Sequence, residues 1–244
     1  MKQRLDLELV SRGLLPTRAK ATAYIKEGVV EVNGKIVVKP STLILESDKI
    51  EITREVLPYV SRGGLKLEKA IKVFNLNLKD LVVLDLGAST GGFTDCALQN
   101  GARKVFAVDI GSGQLDIKLR ENSSVVNLEN TDIRTLDKKY IEQSQIIVGD
   151  ISFISLLKVL PNVINNMTKQ QLMILIKPQF EAGLSIIKKC KGVIRDTKVS
   201  KQICEDTIRG LELMGLQLVG LDESPIKGGD GNTEYIALFK KNGF

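Results

Sequence analysis

The chain has 244 residues, enough for one large domain or for a core domain with a small module beside it. Its hydrophobic fraction of 43% is ordinary for a globular protein, so a sizeable core can form. The net charge of +6 favours a polyanionic partner such as RNA, although many proteins without such a partner are equally basic. The absence of histidine excludes His-based acid–base catalysis and His-ligated metal sites, and we expect no bound metal.

The cysteine pattern predicts a reducing compartment, and the amino-terminal residues predict a protein that is not exported. Cys96, Cys190 and Cys204 are widely spaced and form no Cys-x-x-Cys pair, which argues against a disulfide framework and against a structural zinc site. The charged amino terminus lacks the apolar core of a signal peptide, and no apolar run approaches the ~20 residues that cross a bilayer. We therefore expect a cytoplasmic protein that does not enter a membrane.

Two helical patterns and a hairpin pattern occupy the beginning of the chain. The first helical pattern ends at Gly13 and the second at Gly28, since glycine is a common helix stop. Two alternating runs then flank Asn33-Gly34, a strong signal for a tight hairpin turn. One further short strand is predicted over residues 49–52. The pattern indicates a small α+β module.

This order of elements resembles the S4 RNA-binding domain. The matching residues include Arg4-Leu5-Asp6, Ser11-Arg12-Gly13, Val32-Asn33-Gly34 and Asp48-Lys49-Ile50. In that family the second helix and the hairpin lie against structured RNA. The resemblance implies phosphate contacts from basic side chains, and any one of these could instead be an ordinary solvated charge. The candidates are Arg4, Arg12, Arg18, Lys20 and Lys26.

A buried strand, a glycine turn and a helix are predicted over residues 82–98. Such a unit is typical of nucleotide-binding α/β proteins, because glycines let the backbone approach a ligand closely. The turn alone does not identify the ligand, since NAD, FAD and S-adenosylmethionine enzymes all use one. The candidate ligand contacts in this stretch are Asp85, Gly87, Ser89, Gly91, Gly92 and Phe93.

Acidic residues follow the next two predicted strands. Asp109 comes after Asp85 at close to the ~20-residue spacing at which an acid binds ligand ribose hydroxyls. Asp109 could instead form a turn before Gly111. Asp132 could accept a hydrogen bond from an adenine amine or merely cap a turn. Both are candidate cofactor contacts.

The fourth and fifth predicted strands end in Asp150 and Lys177. Their almost unbroken apolar runs are typical of strands buried on both faces. Because ligands of open α/β sheets bind at the carboxyl ends of the strands, Asp109, Asp150 and Lys177 are predicted to share one crevice. Lys66 is less clear: it lies in the first turn of a predicted helix, where periodicity alone favours a solvent-facing charge.

The whole chain resembles the TlyA (haemolysin A-like) family, in which an S4 domain precedes an FtsJ-like methyltransferase domain. The resemblance implies a Rossmann-like α/β sheet that binds S-adenosylmethionine over residues 61–244. It also implies an S4 domain over residues 1–56 and a linker over residues 57–60. The motifs that carry it are Ser61-Arg62-Gly63-Gly64-Leu65-Lys66, residues 85–95, Gly149-Asp150-Ile151-Ser152-Phe153, Lys177-Pro178-Gln179-Phe180-Glu181 and Gly231-Asn232-Thr233-Glu234-Tyr235.

FtsJ-like enzymes use a Lys-Asp-Lys-Glu tetrad for ribose 2′-O-methylation, and the resemblance maps it to Lys66, Asp150, Lys177 and Glu234. An unperturbed lysine, with a pKa near ~10.4, is a poor base at neutral pH, so a base would need a second cation and desolvation. Our hypothesis is that Lys177 takes or steers the 2′-hydroxyl proton while Asp150 and Glu234 orient it. Lys66 would then hold the ribose or a phosphate, and Arg62 is a further candidate RNA contact. Asp150 is also a candidate cofactor contact.

The resemblance implies ribosomal RNA within ribosomal subunits as the partner, with a cytidine 2′-hydroxyl of small- or large-subunit RNA as the target. A nicotinamide dehydrogenase would share the glycine turn, but it explains neither the S4 module nor Lys177. A non-catalytic RNA-binding factor would have lost members of the tetrad. The haemolysin label suggests a membrane-active protein, but no spanning segment or export signal supports that reading. The target nucleotide and the oligomeric state stay open.

Overall fold

The computed structural model describes residues 2–54, 57–183, 186–187 and 190–241. The chain divides into two compact units, Met1–Pro58 and Tyr59–Phe244. Within the described ranges, no helix is long and apolar enough to cross a membrane.

The first unit is a small α+β module in which two helices pack on short antiparallel strands. Strand β2 pairs with β3 and β5, and β1 pairs with β4. Asn33 and Gly34 have φ of 52° and 75°, as the predicted tight hairpin turn requires. The elements are β1 (Lys2–Arg4), α1 (Leu5–Ser11), α2 (Arg18–Lys26), β2 (Val30–Val32), β3 (Lys35–Ile36), β4 (Leu43–Leu45) and β5 (Ile50–Ile52).

The second unit is built on a mostly parallel sheet, which in the described residues has seven strands in the order β11-β12-β10-β9-β6-β7-β8. Strand β12 lies antiparallel between β10 and β11. The strands are β6 (Val82–Leu86), β7 (Lys104–Val108), β8 (Val125–Leu128), β9 (Ile146–Gly149), β10 (Gln171–Ile176), β11 (Leu216–Glu223) and β12 (Tyr235–Lys241).

Helices cover both faces of this sheet, which buries it as the apolar strand sequences predict. Helices α3 and α4 pack on one face, around Leu67 and Phe93. The opposite face buries a larger core that includes Ile164 and Leu211. The helices are α3 (Gly63–Val73), α4 (Gly92–Gln99), α5 (Ile117–Arg120), α6 (Lys138–Gln143), α7 (Leu156–Val159), α8 (Pro161–Asn166), α9 (Pro178–Glu181) and α10 (Thr197–Leu213), with a 3₁₀ turn at Ile133–Thr135.

One edge of the sheet collects the polar residues that the sequence places at strand ends. Strands β6, β7, β9 and β10 run parallel, so their carboxyl ends meet at this edge. Because β12 runs the other way, its beginning lies at the same edge, opposite the end of β10. Asp109, Asp150, Lys177 and Glu234 each lie next to one of these strand ends.

Candidate active site

Four charged side chains form one cluster at this edge. Lys66 Nζ lies 3.0 Å from Asp150 Oδ2 and 2.7 Å from Glu234 Oε2. Lys177 Nζ lies 2.5 Å from Asp150 Oδ1, so Asp150 bridges the two lysines. All four tetrad residues of the sequence resemblance are therefore brought together. Lys66 is buried, which corrects the solvent-facing position that helical periodicity alone favoured.

The contacts within the cluster are of two kinds. Lys66 donates a hydrogen bond to Asp150 Oδ2. Asp150 Oδ1 and Glu234 Oε2 lie within ion-pair distance of a lysine, but among the described residues neither has a partner with hydrogen-bond geometry. These two contacts are thus electrostatic attractions that fix distance better than direction.

Burial and charge oppose each other in this cluster. Burial acts to lower the pKa of Lys66, but the charges of Asp150 and Glu234 outweigh it, and the net pKa lies above the ordinary value. Burial acts to raise the pKa of Asp150, but the charges of Lys177 and Lys66 leave it below the ordinary value. At neutral pH Lys66 is therefore a cation and Asp150 an anion.

Lys177 has a different environment from Lys66. It is the residue after β10 and contacts one carboxylate rather than two. Its Nζ donates a 2.7 Å hydrogen bond to Ser152 Oγ and lies 5.8 Å from the centre of the Phe180 ring. Lys177 is buried, whereas Ser152 is exposed. The two lysines of the cluster are thus chemically distinct.

Asn232 holds the segment that carries Glu234. Its side chain is buried, where Oδ1 accepts a 2.9 Å hydrogen bond from Ile194 N and Nδ2 donates a 3.0 Å bond to Gly192 O. A buried amide with both ends paired ties two loops together. The position of Glu234 therefore depends on residues well outside its own strand.

Helices α3 and α4 approach each other closely at their first turns. A Cβ at Gly92 would lie 2.3 Å from Ser61 Oγ and 2.8 Å from Gly64 N, so only glycine fits there. A Cβ at Gly64 would in turn lie 2.3 Å from the Tyr59 ring. This contact places Lys66, on α3, beside the glycine turn.

We expect Gly92→Ala to destabilise the protein by roughly 1–3 kcal/mol, because the added methyl group must push the two helices apart. The same displacement should move Lys66 relative to the charged cluster. Urea unfolding measures the first effect. Gly183→Ala is the matched control, since a Cβ there meets no atom within 4 Å. Equal unfolding midpoints for the two variants would contradict the close approach.

Two cavities meet at this edge, with volumes of about 630 Å³ and 430 Å³. The larger contains the charged cluster and also Arg62, Gly92, Phe93 and residues 226–230. The smaller lies over the ends of β6, β7 and β9. Both are lined by Gly87, Ser89, Asp150, Ser152 and Phe153, so they form one continuous crevice.

Asp109 and Asp132 line the smaller cavity, as predicted. Asp109 accepts hydrogen bonds from Ser89 N at 2.8 Å and Gly111 N at 2.7 Å, which orients its carboxylate. The Asp132 carboxylate pairs with Arg134, a hydrogen bond that lowers the pKa of Asp132 below its ordinary value. Asp132 also accepts from Arg134 N, so the turn-capping interpretation is realised.

The predictions for Asp85 and Gly91 need correction. Asp85 is fully buried and lines neither cavity; its Oδ2 accepts a 2.7 Å hydrogen bond from Thr94 Oγ1 of α4. Gly91 has φ of 96°, and a Cβ added there would clash with Leu119. This glycine therefore lets the turn pack against Leu119. Neither residue lines a cavity, so both support the residues that form the crevice without facing it.

Asp85 makes stability depend on pH. Burial raises its pKa to about 7, against the lowering effect of the Thr94 hydrogen bond, and Oδ1 has no hydrogen-bond partner in the part of the chain that the structure describes. The folded state therefore holds this proton more tightly than the unfolded state, and stability falls as pH rises from about 4 to about 7.

We expect Asp85→Asn to remove this pH dependence, because the amide cannot ionise. The gain relative to the wild type should reach a few kcal/mol above about pH 7 and vanish near pH ~4. Urea unfolding at about pH 5 and about pH 8 measures it. A difference in unfolding free energy that is the same at both pH values would show that Asp85 does not titrate in this range.

Three of the candidate RNA contacts in the first unit already have protein partners. Arg4 and Arg18 both pair with buried Asp6, and the Arg4 hydrogen bond is the main cause of a pKa of about 2 for Asp6. Arg12 pairs with Glu8 and donates to the carbonyl oxygens of Leu45, Glu46 and Asp48. Arg12 therefore has a structural role within the first unit, and its contact with a phosphate stays a prediction.

Lys20, Lys26 and Arg62 are exposed and stay candidates for contacting RNA. Other residues of the site were not singled out from the sequence. Ser152 and Phe153 come two and three residues after Asp150, and Phe153 is 90% exposed with φ of 66°, which is rare for a bulky residue. Their place after an acidic strand end, within the motif Gly149-Asp150-Ile151-Ser152-Phe153, could have pointed to them.

Comparison with known proteins agrees with this geometry. Residues 59–241 match the FtsJ-like methyltransferase family and residues 3–50 match the S4 domain. The chain belongs to the FtsJ-like methyltransferase family. The protein is therefore a methyltransferase that uses S-adenosylmethionine, as the resemblance implied.

Three similar proteins support the assignment. Hemolysin A of Brachyspira hyodysenteriae is 41% identical over 239 residues, covering 97% of this chain and 99% of that protein. The 16S/23S rRNA (cytidine-2'-O)-methyltransferase TlyA of Mycobacterium tuberculosis (strain CDC 1551 / Oshkosh) is 37% identical over 238 residues, covering 96% of this chain and 88% of that protein. A solved structure from Streptococcus thermophilus is 39% identical with a TM-score of 0.73, covering 99% of this chain and 89% of that one.

The crevice fits S-adenosylmethionine. Asp109 presents an oriented carboxylate of the kind that accepts from ribose hydroxyls, since each oxygen keeps a free lone pair. Ile110, Ile133 and Ile154 provide apolar surface for an adenine ring. The continuity of the two cavities leaves a path from the cofactor side to the charged cluster.

Proposed function

We propose that the protein methylates the ribose 2′-hydroxyl of a cytidine in 16S and/or 23S ribosomal RNA. The observation that carries this proposal is the Lys66–Asp150–Lys177–Glu234 cluster beside the cofactor cavity. The similar protein of Mycobacterium tuberculosis is named a 16S/23S rRNA (cytidine-2'-O)-methyltransferase, which supports the choice of substrate. We further propose residues 1–56 as the RNA-binding domain, 57–60 as the linker and 61–244 as the catalytic domain.

The reaction requires two things of the protein: positioning of the substrates and removal of a proton. S-adenosylmethionine supplies an activated methyl group when bound. The chain must then align the ribose oxygen with that methyl group and remove the hydroxyl proton. A cluster of fixed charges beside the cofactor can do both without a metal ion or a histidine.

We propose that Lys177 accepts the 2′-hydroxyl proton and that Lys66 binds the ribose or a phosphate of the substrate. Lys66 lies between two carboxylates that hold it as a cation, which suits the binding of a ribose oxygen or a phosphate. Lys177 contacts one carboxylate and a neutral hydroxyl. Lys177 thus has fewer carboxylate contacts than Lys66, and its contact with a neutral hydroxyl at the cavity border suits the group that receives the 2′-hydroxyl proton.

Asp150 and Glu234 orient the two lysines. Asp150 also lines the cofactor cavity, so it borders both substrates of the reaction. We assign cofactor contacts to Gly87, Ser89, Gly92, Phe93, Asp109 and Asp132, which line the crevice.

Several exposed side chains suit RNA as the substrate. Phe153 presents its ring to solvent at the cavity border, where a base could stack on it. Arg62 and Lys227 line the larger cavity and can contact phosphates. Lys20 and Lys26 on α2 offer further cations in the first unit. Aromatic stacking together with phosphate contacts is how proteins bind single-stranded RNA segments.

Transfer of tritiated methyl groups from S-adenosylmethionine tests the proposal. The substrates are 30S subunits, 50S subunits and the corresponding naked RNAs, and the products are digested to nucleosides. We expect label in 2′-O-methylcytidine. Label on a base instead of a ribose would overturn the 2′-hydroxyl assignment. No transfer to any of the RNAs would favour an RNA-binding factor without catalytic activity.

A further inference from the structure

Ser152 lies where the two cavities join. Its side chain is exposed, it lines both cavities, and its Oγ accepts a 2.7 Å hydrogen bond from Lys177 Nζ. It comes two residues after Asp150, in the turn that follows β9. A structural serine in a turn normally bonds to neighbouring backbone, whereas this one bonds to a side chain of the charged cluster.

The contacts of Lys177 differ in what they restrain. Asp150 Oδ1 lies 2.5 Å away but without hydrogen-bond geometry, so it restrains the distance of Nζ and not its direction. The Phe180 ring centre is 5.8 Å away and restrains direction weakly. In the part of the chain that the structure describes, Ser152 Oγ is the partner of Nζ with hydrogen-bond geometry. Ser152 therefore determines how the amine is rotated.

Rotation matters because a base must aim its lone pair. A neutral lysine nitrogen carries two N–H bonds and one lone pair in tetrahedral directions. If one N–H stays on Ser152 and Nζ stays close to Asp150, the lone pair is restricted to the tetrahedral directions that remain. Without Ser152, the amine can rotate about the Cε–Nζ bond, and the lone pair is spread over several directions.

We propose that Ser152 is a positioning residue for the reaction, whose hydroxyl orients the Lys177 amine towards the 2′-hydroxyl of the RNA substrate. The proton leaves the 2′-oxygen for Lys177 Nζ as the new oxygen–methyl bond forms and the sulfur–methyl bond breaks. Ser152 keeps its own proton throughout. This inference rests on the proposed function, because it takes Lys177 as the group that receives the proton.

The test compares Ser152→Ala and Ser152→Thr with the wild type, with Ser123→Ala as a control at an exposed serine outside the site. Methyl transfer to the accepted ribosomal substrate gives kcat and the KM for RNA. Calorimetry gives the affinity for S-adenosylmethionine independently of activity. We expect Ser152→Ala to lower kcat roughly 2- to 10-fold, the equivalent of one hydrogen bond between neutral groups, with KM and cofactor affinity unchanged. Ser152→Thr keeps the hydroxyl and should restore most of kcat.

Three results would overturn the inference. A normal kcat for Ser152→Ala would show that the hydroxyl does not orient Lys177. A higher KM or a weaker cofactor affinity at unchanged kcat would show that Ser152 contacts a substrate instead. A Ser152→Thr variant as slow as Ser152→Ala would show that the hydroxyl is not the group that matters. If the wild type itself transfers no methyl group to RNA, the proposed function fails, and the inference fails with it.

Discussion

Lys177→Ala is expected to lower kcat for methyl transfer about 10²- to 10⁴-fold, the usual contribution of a general base. Lys177 is the cluster lysine with a single carboxylate partner, and alanine removes both the base and the cation. The affinity for S-adenosylmethionine should change little, because Lys177 lines the larger cavity and not the cofactor cavity. Single-turnover transfer at saturating RNA measures the chemical step.

Lys177→Arg separates the two roles of this side chain. Arginine keeps a positive charge near Asp150 but does not give up a proton at neutral pH. If Lys177 removes the proton, this variant should be nearly as slow as Lys177→Ala. A Lys177→Arg variant with substantial activity would mean that the charge alone is required. Lys158→Ala, at an exposed lysine of α7, is the control for a lost surface charge.

Asp150→Ala should abolish methyl transfer and also destabilise the protein by roughly 3–5 kcal/mol, because it leaves two buried lysine cations without their shared partner. The side chains of Lys66 and Lys177 are only 9% and 6% exposed. Urea unfolding at neutral pH measures the loss. The pKa of Asp150 is depressed, so its contribution is present above the pKa of an unfolded aspartate and lost as pH falls through the folded value.

Asp222→Ala is a matched control for this experiment. Asp222 pairs with Lys69 at 3.2 Å, but both side chains are much more exposed, at 36% and 28%. A surface ion pair of this kind contributes about 1 kcal/mol or less. If Asp150→Ala lowered the free energy of unfolding no more than Asp222→Ala, the cluster would matter for function without stabilising the fold.

The buried strands and the edge that carries the site could be predicted from the sequence because both follow from local patterns. Buried strands are short apolar runs, and Asp109, Asp150 and Lys177 end three of them. The rule that parallel strands end at one edge then brings these residues together. The tight turn at Asn33-Gly34 could be predicted for the same reason, because its signal consists of two adjacent residues.

Other parts of the site depend on contacts that the sequence does not show. Lys66 reaches the cluster because α3 packs closely on α4 through glycines, a tertiary contact with no periodic signal. Asp85 was predicted to face the ligand, but the strand end is covered by the turn that follows it. Arg12 was predicted to face RNA, but it binds three carbonyl oxygens far along the chain. In each case the sequence identified a relevant type of residue but did not show in which direction its side chain points.

The antiparallel insertion of β12 also governs when during synthesis the protein can become active. Strand β12 lies between β10 and β11, and Glu234 directly precedes it. A nascent chain that ends before Glu234 has an incomplete sheet and a Lys66 with one carboxylate partner instead of two. If Glu234 has the role proposed for it, we expect a product truncated at such a point to be inactive, so that activity begins only once β12 has been translated.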